Sequence, residues 1–376
     1  MRVLSGQGKN ASWFWVTGRI IARFAGFAKN VECWNGHPGF VLSCIIGKRK
    51  GAIVLKCFFA LVLLLSLFSI ALGNNPVPDS WIDPDGGFFS WQGDPNDSPT
   101  SVYFRLAGSK ELVFVMLHGF GASTFSWREW YPRFAKVGTA LVYDRPGFGF
   151  SSRPFDPGTY AVDPYAPAAQ PQILHGLLES LGLAQKQLVL VAHSAGAGVA
   201  VDFALAYPTH VRALILIAPS VKDPPRSLLS SVISSPLFPI SWSPVQRLLE
   251  NMLSGVLDQA WYDASRLTPE IREGYEKPTQ VEGWEKSLMA FTRSQTPQNR
   301  MDKVGALSMP VLLLSGDADQ IVPLSQTQEL QLAIPGSQLV VVEKCGHLPH
   351  EEWPQKSMQS VQSFLELHQV TIEKGW

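Results

Sequence analysis

Between residues 101 and 342 the chain repeats one pattern: a short run that is apolar almost throughout, then a longer stretch with helical spacing. The runs LVLVA at 188–192, ALILIA at 213–218 and VLLLS at 311–315 display it most plainly. Side chains on a strand alternate between its two faces, so a run without a polar side must be covered on both. A mostly parallel sheet with helices packed above and below it, the α/β class, meets that condition. Further strands are predicted at 102–107, 112–117, 139–143 and 339–342, with a short one at 88–91, making an eight-stranded sheet. Helices are predicted at 171–183, 198–207 and 355–368. With 376 residues, 46% of them hydrophobic, the chain has enough apolar surface to fill such a core.

The rhythm stops between Pro219 and Met309. This interval has no convincing buried strand, but it has many prolines and scattered aromatics, among them Trp242, Trp261, Tyr262, Trp284 and Phe291. That aromatic content argues against a disordered loop. Residues 221–308 are therefore expected to form a helical cap inserted between two core segments, 101–220 and 309–376. The cap is expected over the carboxyl ends of the strands, where open α/β sheets bind ligands.

Residues 1–56 carry nine basic side chains and one acidic, Glu32, so this basic tail has a charge of +8 and the remainder −8. An acidic body offers no basic face to neutralise phosphates, which excludes nucleic acid as the partner. The uncharged run CFFALVLLLSLFSIAL at 57–72 follows Lys48, Arg49, Lys50 and Lys56. It is slightly short of the ~20 residues of a spanning helix and reads as a signal or anchor segment over 57–73, giving a transmembrane or secreted protein. Membrane association through this run is the first expectation. An organellar transit peptide, which the acid-poor start also suits, is the second. Residues 74–100, with five prolines, form a linker containing the first short strand. Of the four cysteines only Cys345 lies in the body, so the body stands without a disulfide.

The strongest local signal for chemistry is the run LVLVA leading into His193, Ser194, Ala195 and Gly196, with a helix after it. A serine on a sharp strand-to-helix turn needs small neighbours two residues before and after it, because larger side chains would collide as the backbone reverses. Ala192 and Gly196 stand there. An ordinary helix N-cap serine has similar surroundings, so the rest of the chain has to decide.

Over residues 79–367 the chain resembles the α/β-hydrolase family. The resemblance rests on that turn and on HGFG at 118–121, directly after the strand at 112–117. It rests also on DRPGFGFS at 144–151, on Gly316 and Asp319 after the strand at 311–315, and on Gly346 and His347 after the last strand. The usual form of the turn has glycine where this chain has Ala192. Stretches at 82–89, 123–129 and 164–167 resemble, more narrowly, a group of capped members. The resemblance implies Ser194 as nucleophile, His347 as general base and Asp319 as the acid that orients it, in the chain order this fold's triad requires. It also implies an oxyanion hole made by the backbone N–H groups of Phe120 and Ala195. Asp317 and Asp223 are weaker candidates for the acid. His118 is read as a structural histidine and the loop at 144–151 as a structural turn, while His350 does not fit the family pattern.

A serine hydroxyl is a weak nucleophile at neutral pH, so a neutral imidazole must take its proton while a carboxylate holds the correct tautomer. This chemistry calls for no cofactor. The cluster of His347, His350, Glu351 and Glu352 lacks a zinc-binding spacing, so no metal is expected. Dehalogenases and epoxide hydrolases of this fold need a carboxylate where Ser194 stands. The expected activity is hydrolysis of an ester, or an amide or thioester, of a small or medium apolar acyl substrate. The alternatives are carbon–carbon bond hydrolysis with the same triad, or a non-catalytic protein that binds a small ligand in the capped pocket.

Overall fold

The computed structural model describes residues 4–8, 11–16, 19–24, 31–34, 77–222 and 255–370. The chain divides into two compact units, Met1–Gly73 and Asn74–Trp376. Within the first, in the stretch read above as a basic tail, β1 (Leu4–Gly8), β2 (Ala11–Val16), β3 (Arg19–Phe24) and β4 (Val31–Trp34) form an antiparallel sheet in sequential order. The pairings Gly8 with Ala11 and Val16 with Arg19 leave only two residues between successive strands, the spacing of tight hairpins. The apolar run at 57–72 lies outside the described residues, and among the described residues no helix is long and apolar enough to cross a membrane.

The second unit contains, in chain order, β5 (Gly86–Trp91), β6 (Thr100–Ala107), β7 (Leu112–Leu117), α1 (Tyr131–Val137), β8 (Thr139–Tyr143), α2 (Ala169–Ser180), β9 (Gln187–His193), α3 (Gly196–Ala206) and β10 (Val211–Ile217). After these come α4 (Pro269–Glu276), α5 (Trp284–Ser294), β11 (Val311–Gly316), α6 (Leu324–Ala333), β12 (Gln338–Val342), α7 (Pro349–Glu352) and α8 (Pro354–Leu367). The expected eight-stranded sheet forms, in the order β12-β11-β10-β9-β7-β8-β6-β5. Every neighbouring pair from β12 to β8 is parallel; β6 pairs antiparallel with both β8 and β5.

Alternate residues of the apolar runs separate onto the two faces. Val113, Val115, Leu190, Leu214 and Leu313 point to one side, where Ile173, Leu174 and Leu177 of α2 and Phe203 of α3 cover them. Phe114, Met116, Val191, Ile215 and Leu314 point to the other, under Phe134 of α1 and Val361 and Phe364 of α8. Burial on both faces is why these runs are apolar almost throughout. Between residues 255 and 308 the described structure is helix at 255–260, α4, α5 and short 3-10 turns, without a strand. Thr268 accepts the Ile271 N–H and Pro269 follows it, which starts α4 cleanly.

Phe114 is fully buried and stacks on Phe134 with ring centroids 4.3 Å apart. Phe114→Ala is therefore expected to cost about 3–5 kcal/mol of folding free energy, the range for truncating a core aromatic. Urea unfolding would test this, and a loss below ~1 kcal/mol would contradict the two-sided core.

Candidate active site

β9 ends at His193 and α3 begins at Gly196, leaving two residues to turn the chain from strand to helix. Ser194 takes up the turn with a φ of 51°, in the left-handed region that costs a non-glycine residue of order 1–3 kcal/mol. The surroundings hold it there. Its N–H donates to Ile217 O on the neighbouring β10 at 2.9 Å, and its carbonyl accepts from Ala197 N at 3.0 Å and Ser220 N at 3.1 Å. A Cβ at position 196 would lie 2.5 Å from Leu117 O and 2.7 Å from His118 O, so only glycine lets the turn sit against the end of β7.

His347 follows β12 and Asp319 follows β11. The imidazole Nδ1 lies 2.8 Å from Asp319 Oδ2, and the other carboxylate oxygen accepts from Ile321 N at 2.8 Å and Val322 N at 2.9 Å. Both residues are buried. With the carboxylate ionised, Nδ1 carries the proton that it donates, and Nε2 is left as the basic nitrogen. Asp317 is exposed and does not touch the imidazole; its Oδ1 accepts the Cys345 N–H at 3.3 Å. Asp223 lies outside the described residues. His350 is buried, its ring 4.7 Å from that of Trp127 and 4.8 Å from that of His193. Burial pushes its pKa well below the usual histidine value, so it packs as a neutral ring.

The loop at 118–121 lies beside the serine. His118 Nε2 accepts the Arg145 N–H at 3.0 Å, which makes Nδ1 the donor to Gly119 O at 2.7 Å. Burial, then the nearby Arg145 guanidinium, lower its pKa well below the usual value, so it stays neutral and braces the loop. Asp144, just after β8, accepts from Thr124 N at 2.6 Å and from Phe150 N at 2.8 Å, tying the 3-10 turn that begins at Thr124 to the loop at 144–151. Among the described residues the N–H groups of Phe120 and Ala195 enter no hydrogen bond.

Ser194, His347 and Phe120 share a cavity of about 460 Å³ with Leu257, Tyr275 and Glu276 of the interval read as a cap. Tyr275 also reaches past the cavity wall, where its hydroxyl donates to Glu351; Arg128 Nη1 pairs with the other Glu351 oxygen at 2.5 Å. In the sequence Glu351 stands out only as a member of the cluster of His347, His350, Glu351 and Glu352. No local signal could have joined it to partners 76 and 223 residues away. Among the described residues no group of three His, Cys, Asp or Glu side chains is placed to hold a metal ion.

A model of the alpha/beta hydrolase family matches residues 114–356. The chain is 26% identical over 272 residues to monoacylglycerol lipase abhd6-B of Xenopus laevis, covering 70% of this chain and 78% of the relative. It is 28% identical over 284 residues to a 2-hydroxy-6-oxononadienedioate/2-hydroxy-6-oxononatrienedioate hydrolase of Paraburkholderia phymatum, covering 70% and 90%. Among solved structures, a thermophilic esterase from Thermogutta terrifontis has the same fold, with a TM-score of 0.61, 24% identity, and 75% and 99% of the two chains covered.

The backbone contact at Gly196 is open to a direct test. In Gly196→Ala the added methyl can be accommodated only by moving β7 or the turn, so a loss of about 1–3 kcal/mol is expected. An unchanged denaturation midpoint would mean that the turn has slack.

Proposed function

This chain belongs to the alpha/beta hydrolase family, and from that premise we propose that it is a serine hydrolase acting on neutral esters through an acyl-enzyme on Ser194. The observation that carries the proposal is the 2.8 Å contact of His347 Nδ1 with Asp319 in a cavity that also holds Ser194. In this reading His347 Nε2 takes the hydroxyl proton as Ser194 attacks the ester carbonyl, and Asp319 steadies the imidazolium. The N–H groups of Phe120 and Ala195 receive the oxyanion. His347 then returns the proton to the leaving alcohol, and water releases the acyl group by the same steps.

Two features favour an uncharged substrate with an apolar acyl part. Val256, Leu257, Ile321 and Leu348 give the cavity apolar wall. Its one side chain of fixed charge among the described residues is the acid Glu276, and burial, then the neighbouring imidazoles, hold His193 in its neutral form. A dioate, as named for the Paraburkholderia relative, would bring two negative charges to that wall, which weighs against the carbon–carbon reading. The apolar run at 57–72 would tether the enzyme to a bilayer, from which such an ester could be drawn.

Ser194→Ala should lower hydrolysis of p-nitrophenyl butyrate by ~10⁴ or more, and Asp319→Asn should cost far more than Asp317→Asn. Activity of the serine variant within tenfold of wild type would sink the assignment. A chain beginning at Asn74 should remain in the aqueous phase, cleave C8 esters faster than acetyl esters and hydrolyse hemisuccinate esters poorly, while the full chain floats with phosphatidylcholine vesicles. Preference for the hemisuccinate, or flotation of the shortened chain, would reject the corresponding half of the substrate reading.

A further inference from the structure

Two carboxylates follow His347 on the single turn of α7, and both reach the interval read as a cap. Glu351 meets Tyr275 and Arg128, as described above. Glu352 has no exposed surface, and its two oxygens are divided between two backbone donors. Oε2 accepts from Gly346 N, the residue before His347, at 2.7 Å; Oε1 accepts from Asp263 N, in the cap interval, at 2.9 Å. A third bond runs alongside, from His347 N itself to Ala260 O at 2.6 Å. The fit is close enough that a Cβ on Gly346 would stand 2.3 Å from Ala260 O and 2.8 Å from Tyr262 N.

The backbone around the base is thus held from the cap side. Asp319 sets the tautomer and the tilt of the ring, but it cannot fix where the loop carrying His347 stands along the line toward Ser194. We propose that Glu352 is a positioning residue that sets this coordinate, by binding the backbone before His347 and the backbone of the cap interval with one rigid carboxylate. The inference rests on the reading of His347 as base. It also makes the position of the base depend on residues 260–263 being seated, so that an ill-seated cap would leave Ser194 without its proton acceptor.

The carboxylate is suited to this task because both of its oxygens accept. In Glu352→Gln one oxygen becomes an NH₂ group that faces a backbone N–H, so one of the two tethers is lost. Misplacement of a reacting group by about 1 Å costs on the order of 100-fold in rate. Glu352→Gln is accordingly expected to lower kcat for p-nitrophenyl butyrate by roughly 10- to 100-fold per active site, with KM within threefold, the sites being counted by fluorophosphonate titration. Glu352→Asp, which keeps both acceptors on a stem one methylene too short to reach both donors in full, should fall between the two, with kcat above that of Glu352→Gln but threefold or more below wild type. Val361→Ala, a cavity in the core under α8, serves as the comparison for lost stability alone and should retain kcat per titrated site.

The inference is overturned if Glu352→Gln keeps kcat per site within twofold of wild type, or if Val361→Ala loses as much. If Glu352→Gln fails to fold, Glu352→Asp decides: a fall in kcat at near-constant KM upholds the role, and an unchanged kcat rejects it. Failure of the underlying reading has a different signature, because wild-type protein would then neither take up the fluorophosphonate nor cleave the ester.

Discussion

The ends of β7 and β9 lie side by side, and the arrangement around the serine depends on how closely they approach. Leu117 pairs with Ala192 in the parallel ladder, which brings the carbonyls of Leu117 and His118 against Gly196 on the far side of the turn. That contact leaves no room for a side chain at 196 and little at 119, where a Cβ would lie 2.9 Å from His193 Nδ1. The strain at Ser194 is sustained because the sheet, buried on both faces, gives the turn nowhere to relax. The loop at 118–121 is fixed by the same approach, so the serine and the backbone of Phe120 and Ala195 share one frame.

Much of this was legible in the sequence because two-sided burial writes itself into every position of a strand. The predicted run at 139–143 is β8 residue for residue, and that at 188–192 falls one residue short of β9 at each end. Helices were less visible where they contribute little to the core. α6 buries only Thr327 and Leu330, and its polar sequence carries no apolar stripe to mark it. α1 is seven residues long with a proline at its start, too brief for periodicity to accumulate. α2 begins at Ala169, two residues before the predicted start, because Pro171 sits in the first turn, where its missing N–H costs nothing.

At the site, the residues that a sequence can propose are those whose neighbours along the chain constrain them: Ser194 between small residues, His347 after Gly346, Asp319 after β11. Of the two aspartates after β11, Asp319 reaches the imidazole of His347, while Asp317 is spent on the backbone of Cys345. Arg128 and Tyr275, each half-buried, close over the buried Glu351, and the three come from separate segments of the chain. Glu351 would be costly to bury alone; a guanidinium and a phenol make it tolerable. Such compensation is written in three dimensions only.

The two faces of the sheet are closed at different times as the chain is made. One is covered by α2 and α3, which are synthesised among the strands they protect. The other has α1 early but waits for Met358, Val361, Phe364 and Leu365 of α8, near the end of the described chain. A nascent chain emerging from the ribosome therefore carries an uncovered apolar face under β10 and β11 until α8 follows. That face is complete only once α8 has docked on it, and an apolar sheet face left open in this way favours aggregation until it is covered.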